Sequence, residues 1–344
     1  MCNFWLAGSR MTLGTRVCFW YAGHHFLASC KGLRSGGFYP GCDKVMYYYT
    51  TFGLRIRSDI ELPELGEPGR EEKPHLTITF RPIPGELPDA LYRGKSFQIS
   101  PSQVLIRIEQ VAGYLVRNGQ EIIIDPSRTA EMDLVRVFLL GPVIGIALHQ
   151  QGFLVLHGSS VLWNHQAIIF AGASGSGKST IAGALIRRGF PFLADDLCPL
   201  RMENNMPLLL PSIPQLKLME DVLPELDFSP ESAVRLSSVT AKYGISFAEK
   251  ISAEPLPVRM IFILQPEPTE KDIRMEQLSG VEKFNALKDN TYRFPLLHYM
   301  NLTTRHFGLV TSVAKQVTVY RIIRNTGISV EKTAATVTEF LSRL

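Results

Sequence analysis

Gly172-Ala173-Ser174-Gly175-Ser176-Gly177-Lys178-Ser179 is the stretch on which the reading of this chain turns. It fits G-x-x-x-x-G-K-[ST], and each fixed position has a physical task. The glycines let the backbone wrap closely, with its N–H groups pointing inward at phosphate oxygens. Lys178 brings a point charge to the β- and γ-phosphates, and Ser179 brings a hydroxyl ligand for Mg²⁺. The N-terminus of a helix beginning here adds partial positive charge. With glycine usage at about 7%, the pattern arises by chance roughly once in a hundred chains of this length.

The flanks agree with the motif. Ala167-Ile168-Ile169-Phe170-Ala171 reads as an apolar strand running into the loop. Beyond it, Ile181, Ala184 and Leu185 share one helical face, Arg187-Arg188 fill the last turn and Gly189 stops the helix. Gly172 to Thr180 is therefore expected to bind a nucleotide, ATP together with Mg²⁺. A strand then returns from Phe190 to Ala194 and ends in Asp195-Asp196. A strand of a parallel sheet running beside the loop strand would deliver both carboxylates to the γ-phosphate. Phosphoryl transfer needs a metal to neutralise charge and a group to orient or deprotonate the acceptor hydroxyl, and two carboxylates can divide those roles. An isolated Asp-Asp pair would otherwise be a solvated turn or a helix cap.

Three pieces in order, Leu156-His157-Gly158-Ser159-Ser160-Val161, Gly172 to Thr180 and Leu193-Ala194-Asp195-Asp196, resemble the catalytic domain of the HPr kinase/phosphorylase family. The likeness is greatest to the HPr-kinase-like proteins of peptide biosynthesis systems such as those of lasso peptides. Looser matches at Pro211 to Leu218, at Pro255-Leu256-Pro257-Val258-Arg259 and at Tyr49 to Leu54 point to the same branch. The resemblance implies an α/β P-loop kinase domain of the HPr kinase / phosphoenolpyruvate carboxykinase type, moving a phosphoryl group from ATP to a serine of a protein or peptide. It implies Asp196 as general base, Asp195 with Ser179 at Mg²⁺, and His157 beside the reacting phosphate. Read alone, His157 is as well explained as a structural histidine. Ala173 and Thr180 stand where HPr kinases commonly carry acidic residues, and a glycine-rich second signature is missing. Reverse phosphorolysis and the carrier protein HPr as substrate are thus left unsupported. Lys217 and Lys242 are candidate phosphate or substrate contacts, though a lone lysine is usually only a solvated side chain.

Outside this core, residues 151–344 read as the kinase domain, closed by a strand at Val317 to Arg321 and a helix from about Val330. Residues 46–150 read as a small β-rich, antiparallel module. Its strands are expected at Tyr47 to Arg57, Leu76 to Phe80, Val104 to Ile108, Gly113 to Val116 and Glu121 to Ile124, and a helix from about Glu131 to Gln151 links it onward. Residues 1–45 lack periodicity and read as disordered or as an upstream extension, without the layout of a signal peptide. At 344 residues the length favours two domains.

Composition narrows the function class. With 45% hydrophobic and 20% charged residues and a net charge of +4 spread along the sequence, the chain reads as globular, with no block of charge for nucleic acid. The longest apolar stretch, Leu134 to Leu148, is interrupted by Arg136 and Pro142 and is shorter than the roughly 20 residues of a membrane span. Four of the five cysteines precede residue 45, so only Cys198 remains in the body, which fits a reducing cytoplasm. A homo-oligomer is compatible with the sequence. Two other functions stay open at this stage. A small-molecule kinase is permitted because the acceptor pocket is not readable, and a nucleotide-sensing regulator without transfer is opposed by the presence of both aspartates.

Overall fold

The computed structural model describes residues 45–229, 233–236, 241–247 and 254–344. The expected N-terminal extension and the four cysteines within it lie outside the described residues. Asp43–Leu344 forms one compact unit. Among the described residues it is mixed α/β, with three sheets.

The first sheet is built from β1 (Tyr47–Thr51), β2 (Leu54–Ser58), β3 (Leu76–Phe80), β4 (Tyr92–Arg93), β5 (Phe97–Ile99), β6 (Gln103–Ile108), β7 (Ala112–Arg117) and β8 (Glu121–Pro126). Its order is β1-β2-β3-β8-β7-β6-β5-β4. Two expectations are corrected here. The single strand from Tyr47 to Arg57 is a hairpin, because Phe52 and Gly53 turn the chain with φ of 55° and 67°. Phe52 is fully buried and its N–H reaches the Pro211 carbonyl at 2.6 Å, so tertiary packing holds a bulky residue in a conformation it seldom adopts. Nor is the sheet purely antiparallel, since β3 lies parallel to both β2 and β8.

The linking helix appears as α1 (Met132–Phe138), a π-helical segment at Leu139–Val143 and α2 (Ile144–Gln151). Pro142 has no N–H to give the ladder, and the wider turn absorbs the loss. Gly152 caps the end with φ of 93°. As a 20-residue run, Met132–Gln151 is long and apolar enough to cross a bilayer by length and composition alone. In the fold, Val135, Leu139, Val143, Ile146 and Leu148 are fully or almost fully buried, packed against the first sheet and against Val155, Leu197 and Leu297.

The second sheet follows, from β9 (Leu154–Trp163), β10 (Gln166–Gly172), α3 (Lys178–Arg187), β11 (Phe192–Glu203) and β12 (Met206–Leu209). Next come β13 (Gln215–Met219), α4 (Val222–Glu225), β14 (Ala233–Arg235) and β15 (Lys242–Ser246), the strands of the small third sheet. The chain closes with β16 (Leu256–Pro266), β17 (Arg274–Leu278), α5 (Gly280–Asp289), α6 (Leu296–Tyr299), α7 (Thr303–Gln316), β18 (Thr318–Arg324) and α8 (Val330–Ser342). The second sheet runs β10-β9-β11-β12-β16-β18-β17, and β16 also pairs with β10, which closes part of it into a ring.

Side chains of β10 and β16 alternate between two cores, as strand geometry requires. Ile168, Phe170, Met260 and Phe262 pack with Ile181 and Leu185 of α3 and Val337 of α8. Ile169, Ile261 and Ile263 pack on the other side with Leu287 of α5 and Val310 and Val313 of α7. Each fully buried side chain of this size contributes about 1.5–3 kcal/mol. The strand that carries the glycine loop is therefore fixed on both faces.

Two strand expectations change in this sheet. The strand expected to end at Asp195-Asp196 continues seven residues further, to Glu203. It also lies beside β9, antiparallel, and not beside the loop strand.

Candidate active site

The glycine loop leaves β10 at Gly172 and enters α3 at Lys178. Gly177, at the N-cap, takes φ of 91°, and a Cβ there would come within 2.9 Å of Arg324 Nη2. Behind the loop, Arg324 donates to the Ser176 carbonyl at 3.4 Å and to the Ile328 carbonyl at 3.3 Å. Lys178 is buried, and its ammonium donates to the carbonyls of Gly172 at 3.1 Å and Ala173 at 2.9 Å. A lysine has three N–H bonds, so one remains for an anion seated in the loop. Burial lowers its pKa, against the opposing pull of Asp195 and Asp196.

Strands β9 and β11 bring the other two motifs together. In their ladder Asp195 faces Ser159, Asp196 faces Gly158 and Leu197 faces His157. Successive side chains of a regular strand point to opposite faces. Asp196 breaks that rule with φ of 70°, and both carboxylates line one cleft. Aspartate tolerates this left-handed conformation better than most residues, though it still stores on the order of 1–2 kcal/mol. Strain of this kind held by surrounding structure is a mark of functional sites.

The two carboxylates are held in different ways. Asp195 is buried and accepts three hydrogen bonds: from Ser159 Oγ at 2.5 Å, Ser179 Oγ at 2.8 Å and the Lys217 N–H at 2.8 Å. Burial pushes its pKa above the ordinary value, against the lowering effect of the Ser159 hydrogen bond. Asp196 is partly open to the cleft. Lys217 Nζ lies 3.3 Å from its Oδ2 and His157 Nδ1 lies 3.3 Å from its Oδ1. Burial would raise the Asp196 pKa, but Lys217 and His157 outweigh it and hold the carboxyl well below the usual carboxylate range. Adjacent acids driven apart in acidity can take different roles.

All of this lies in a cleft of about 1040 Å³. Its walls include His157, Gly172 to Gly175, Gly177 to Thr180, Asp195, Asp196, Lys217 and Lys242. Among the residues singled out from the sequence, Ser176 does not line it. Ser176 is buried, and its hydroxyl has no hydrogen-bond partner among the described residues. Ser179 and Asp195 present hard oxygens side by side at the loop, the donor chemistry that Mg²⁺ takes alongside phosphate oxygens and water. The residues fit that ion.

Several participants escaped the sequence reading. Ser159 was quoted only as part of a motif, yet it holds Asp195. Arg324 meets the loop from 148 residues away. The far wall is the turn after α5, where Tyr292 packs its ring on His157 at 5.6 Å between centroids and Arg293 takes φ of 49°. Arg324, Tyr292 and Arg293 stand in no recognisable pattern. Ser159 alone could have been found, from its place opposite the aspartates once β9 and β11 are paired.

No family model matches the chain, and no curated protein matches it. A solved structure that is similar is described as the Hpr(Ser) kinase/phosphatase from Coxiella burnetii. The alignment covers 55% of this chain and 93% of that one, at 14% identity and a TM-score of 0.27. A score this low marks a distant likeness, and the reading of the site rests on its own geometry.

Proposed function

We propose that this chain is an ATP-dependent serine kinase of the HPr-kinase-like type, acting on a peptide or carrier protein. In this reading residues 151–344 form the P-loop kinase domain and residues 46–150 a β-rich module beside it. One observation carries the proposal: the glycine loop with Lys178 shares a cleft with an ionised, strained Asp196 that Lys217 and His157 hold in place.

The chemistry follows from the positions. The loop N–H groups and the remaining N–H of Lys178 take the triphosphate. Ser179 and Asp195 are the residues that would hold Mg²⁺, which when bound would supply neutralisation of the phosphate charge. Asp196 accepts the hydrogen bond of the incoming serine hydroxyl and aligns its oxygen on the γ-phosphorus. The new O–P bond forms as the bond to the β,γ-bridging oxygen breaks, ADP leaves, and the hydroxyl proton passes to Asp196. A carboxylate with a depressed pKa is a weak base, which suits a loose transition state that asks little activation of the nucleophile. Lys217 is placed to balance the charge on the group in transit.

The test is transfer of radiolabelled γ-phosphate from Mg²⁺-ATP to a degenerate peptide library with a fixed serine. Label should enter peptide with the wild type and fall to background with Asp196→Asn. A wild type that binds Mg²⁺-ATP, seen as a thermal shift, but labels no more peptide than Asp196→Asn would sink the protein-kinase reading.

A further inference from the structure

Beyond the main cleft, a smaller pocket of about 250 Å³ opens between α1 and the three-stranded sheet of β13, β14 and β15. Val137 and Leu140 form one wall, and Ile213 and Leu236 contribute further apolar surface. At this size it falls below the roughly 300–1,000 Å³ of pockets that enclose whole small molecules. It suits an apolar side chain or two.

Its position gives it meaning. Lys217 lines both spaces, with its ammonium on Asp196 in the main cleft. A chain whose serine sits at Asp196 would reach the small pocket by passing along Lys217. At the rim Arg136 binds Glu64 at 2.8 Å and Asp133 at 2.6 Å, and Arg235 lines the same pocket.

Resting on the kinase reading above, we propose that this pocket is the acceptor-recognition subsite, taking an apolar side chain of the peptide close in sequence to the phosphorylated serine. The substrate class is thereby narrowed to serine peptides with a neighbouring Leu, Ile, Met or Phe. Neither Val137 nor Leu236 touches the phosphoryl site, so blocking the pocket should change acceptor choice and leave nucleotide binding alone.

The test uses the full chain and a positional library with fixed serine and varied flanking residues. Wild type should select an apolar residue at one flanking position, and Val137→Trp, which fills the pocket, should erase that selection. For the selected peptide KM should rise at least tenfold, with KM for ATP and the Mg²⁺-ATP thermal shift unchanged. Leu236→Asp, which puts a charge on another wall, should act the same way and guards against misfolding of one variant. The inference is overturned if wild type phosphorylates serine peptides without apolar preference, or if both variants keep the wild-type preference. A wild type that phosphorylates no peptide overturns the kinase reading itself, and the subsite with it.

Discussion

The ammonium of Lys217 lies 3.3 Å from a carboxylate oxygen of Asp196, and the main-chain N–H of the same lysine binds Asp195 at 2.8 Å. One residue of β13 thus fixes both acids, through chemically different groups. Exchanging the side chain for any residue but proline removes the ammonium contact and keeps the main-chain one.

Lys217→Met should leave Asp195 in place and release Asp196. With its main counter-charge gone, burial dominates and the Asp196 pKa should rise. The loss of stability should be about 1–3 kcal/mol in urea denaturation. Asp196→Asn added to Lys217→Met should cost less than the sum of the two single changes, because the uncompensated charge is gone. Strict additivity would show that the two side chains are not coupled.

Lys178→Ala should abolish stabilisation by Mg²⁺-ATP. Ligand at a hundred times its dissociation constant stabilises the native state by about 2.7 kcal/mol. Differential scanning fluorimetry with and without nucleotide should show a shift for wild type and none for the variant. An equal shift in both would place the nucleotide elsewhere.

Acid should destabilise the fold through two histidines behind the cleft wall. His149 bonds the Tyr292 carbonyl at 2.9 Å and His306 bonds the Thr291 hydroxyl at 2.9 Å, and both are buried. Burial lowers each pKa to about 4 from the ordinary 6.5. Between these values the unfolded chain binds more protons than the folded one, so stability is complete above about 6.5 and is lost as pH falls toward 4. Each histidine contributes a slope of at most about 1.4 kcal/mol per pH unit. His306→Gln should lessen the slope in denaturation curves taken between pH 6.5 and 4.5.

Gly158→Ala should destabilise by about 1–3 kcal/mol through close approach. A Cβ at Gly158 would sit 2.8 Å from the Phe170 carbonyl oxygen, part of the strand that carries the loop. Backbone cannot yield as a side-chain tip can. The variant should show a lower denaturation midpoint and weaker nucleotide binding together, whereas unchanged stability would mean that β9 and β10 adjust freely.

How much of this was open to the sequence follows from how local each feature is. The loop, the strand before it and the helix after it are contiguous, and Ile168, Phe170, Ile181 and Leu185 display their periods directly. Likewise β18 and α8 appear close to where their patterns place them. The hairpin at Phe52 was hidden because strand-forming residues fill both arms, Tyr47 to Thr51 and Leu54 to Ser58, and only Gly53 and the odd spacing from Tyr49 to Leu54 mark the turn. Asp195-Asp196 reads as a strand end because carboxylates seldom sit inside a strand, and only the Ser159 and Lys217 partners explain why β11 continues through them. Arg324, Tyr292 and Arg293 reach the cleft through long-range folding, which leaves no local mark.

The left-handed backbone at Asp196 also governs how substitutions there must be read. Asparagine and glycine accept that conformation, while alanine and glutamate resist it. Asp196→Asn therefore removes the charge without straining the backbone, and Asp196→Ala removes the charge while also straining β11 beside His157. A lost activity in the alanine variant mixes chemistry with geometry. Setting the alanine variant against the asparagine and glycine variants, which keep the backbone relaxed, separates the two.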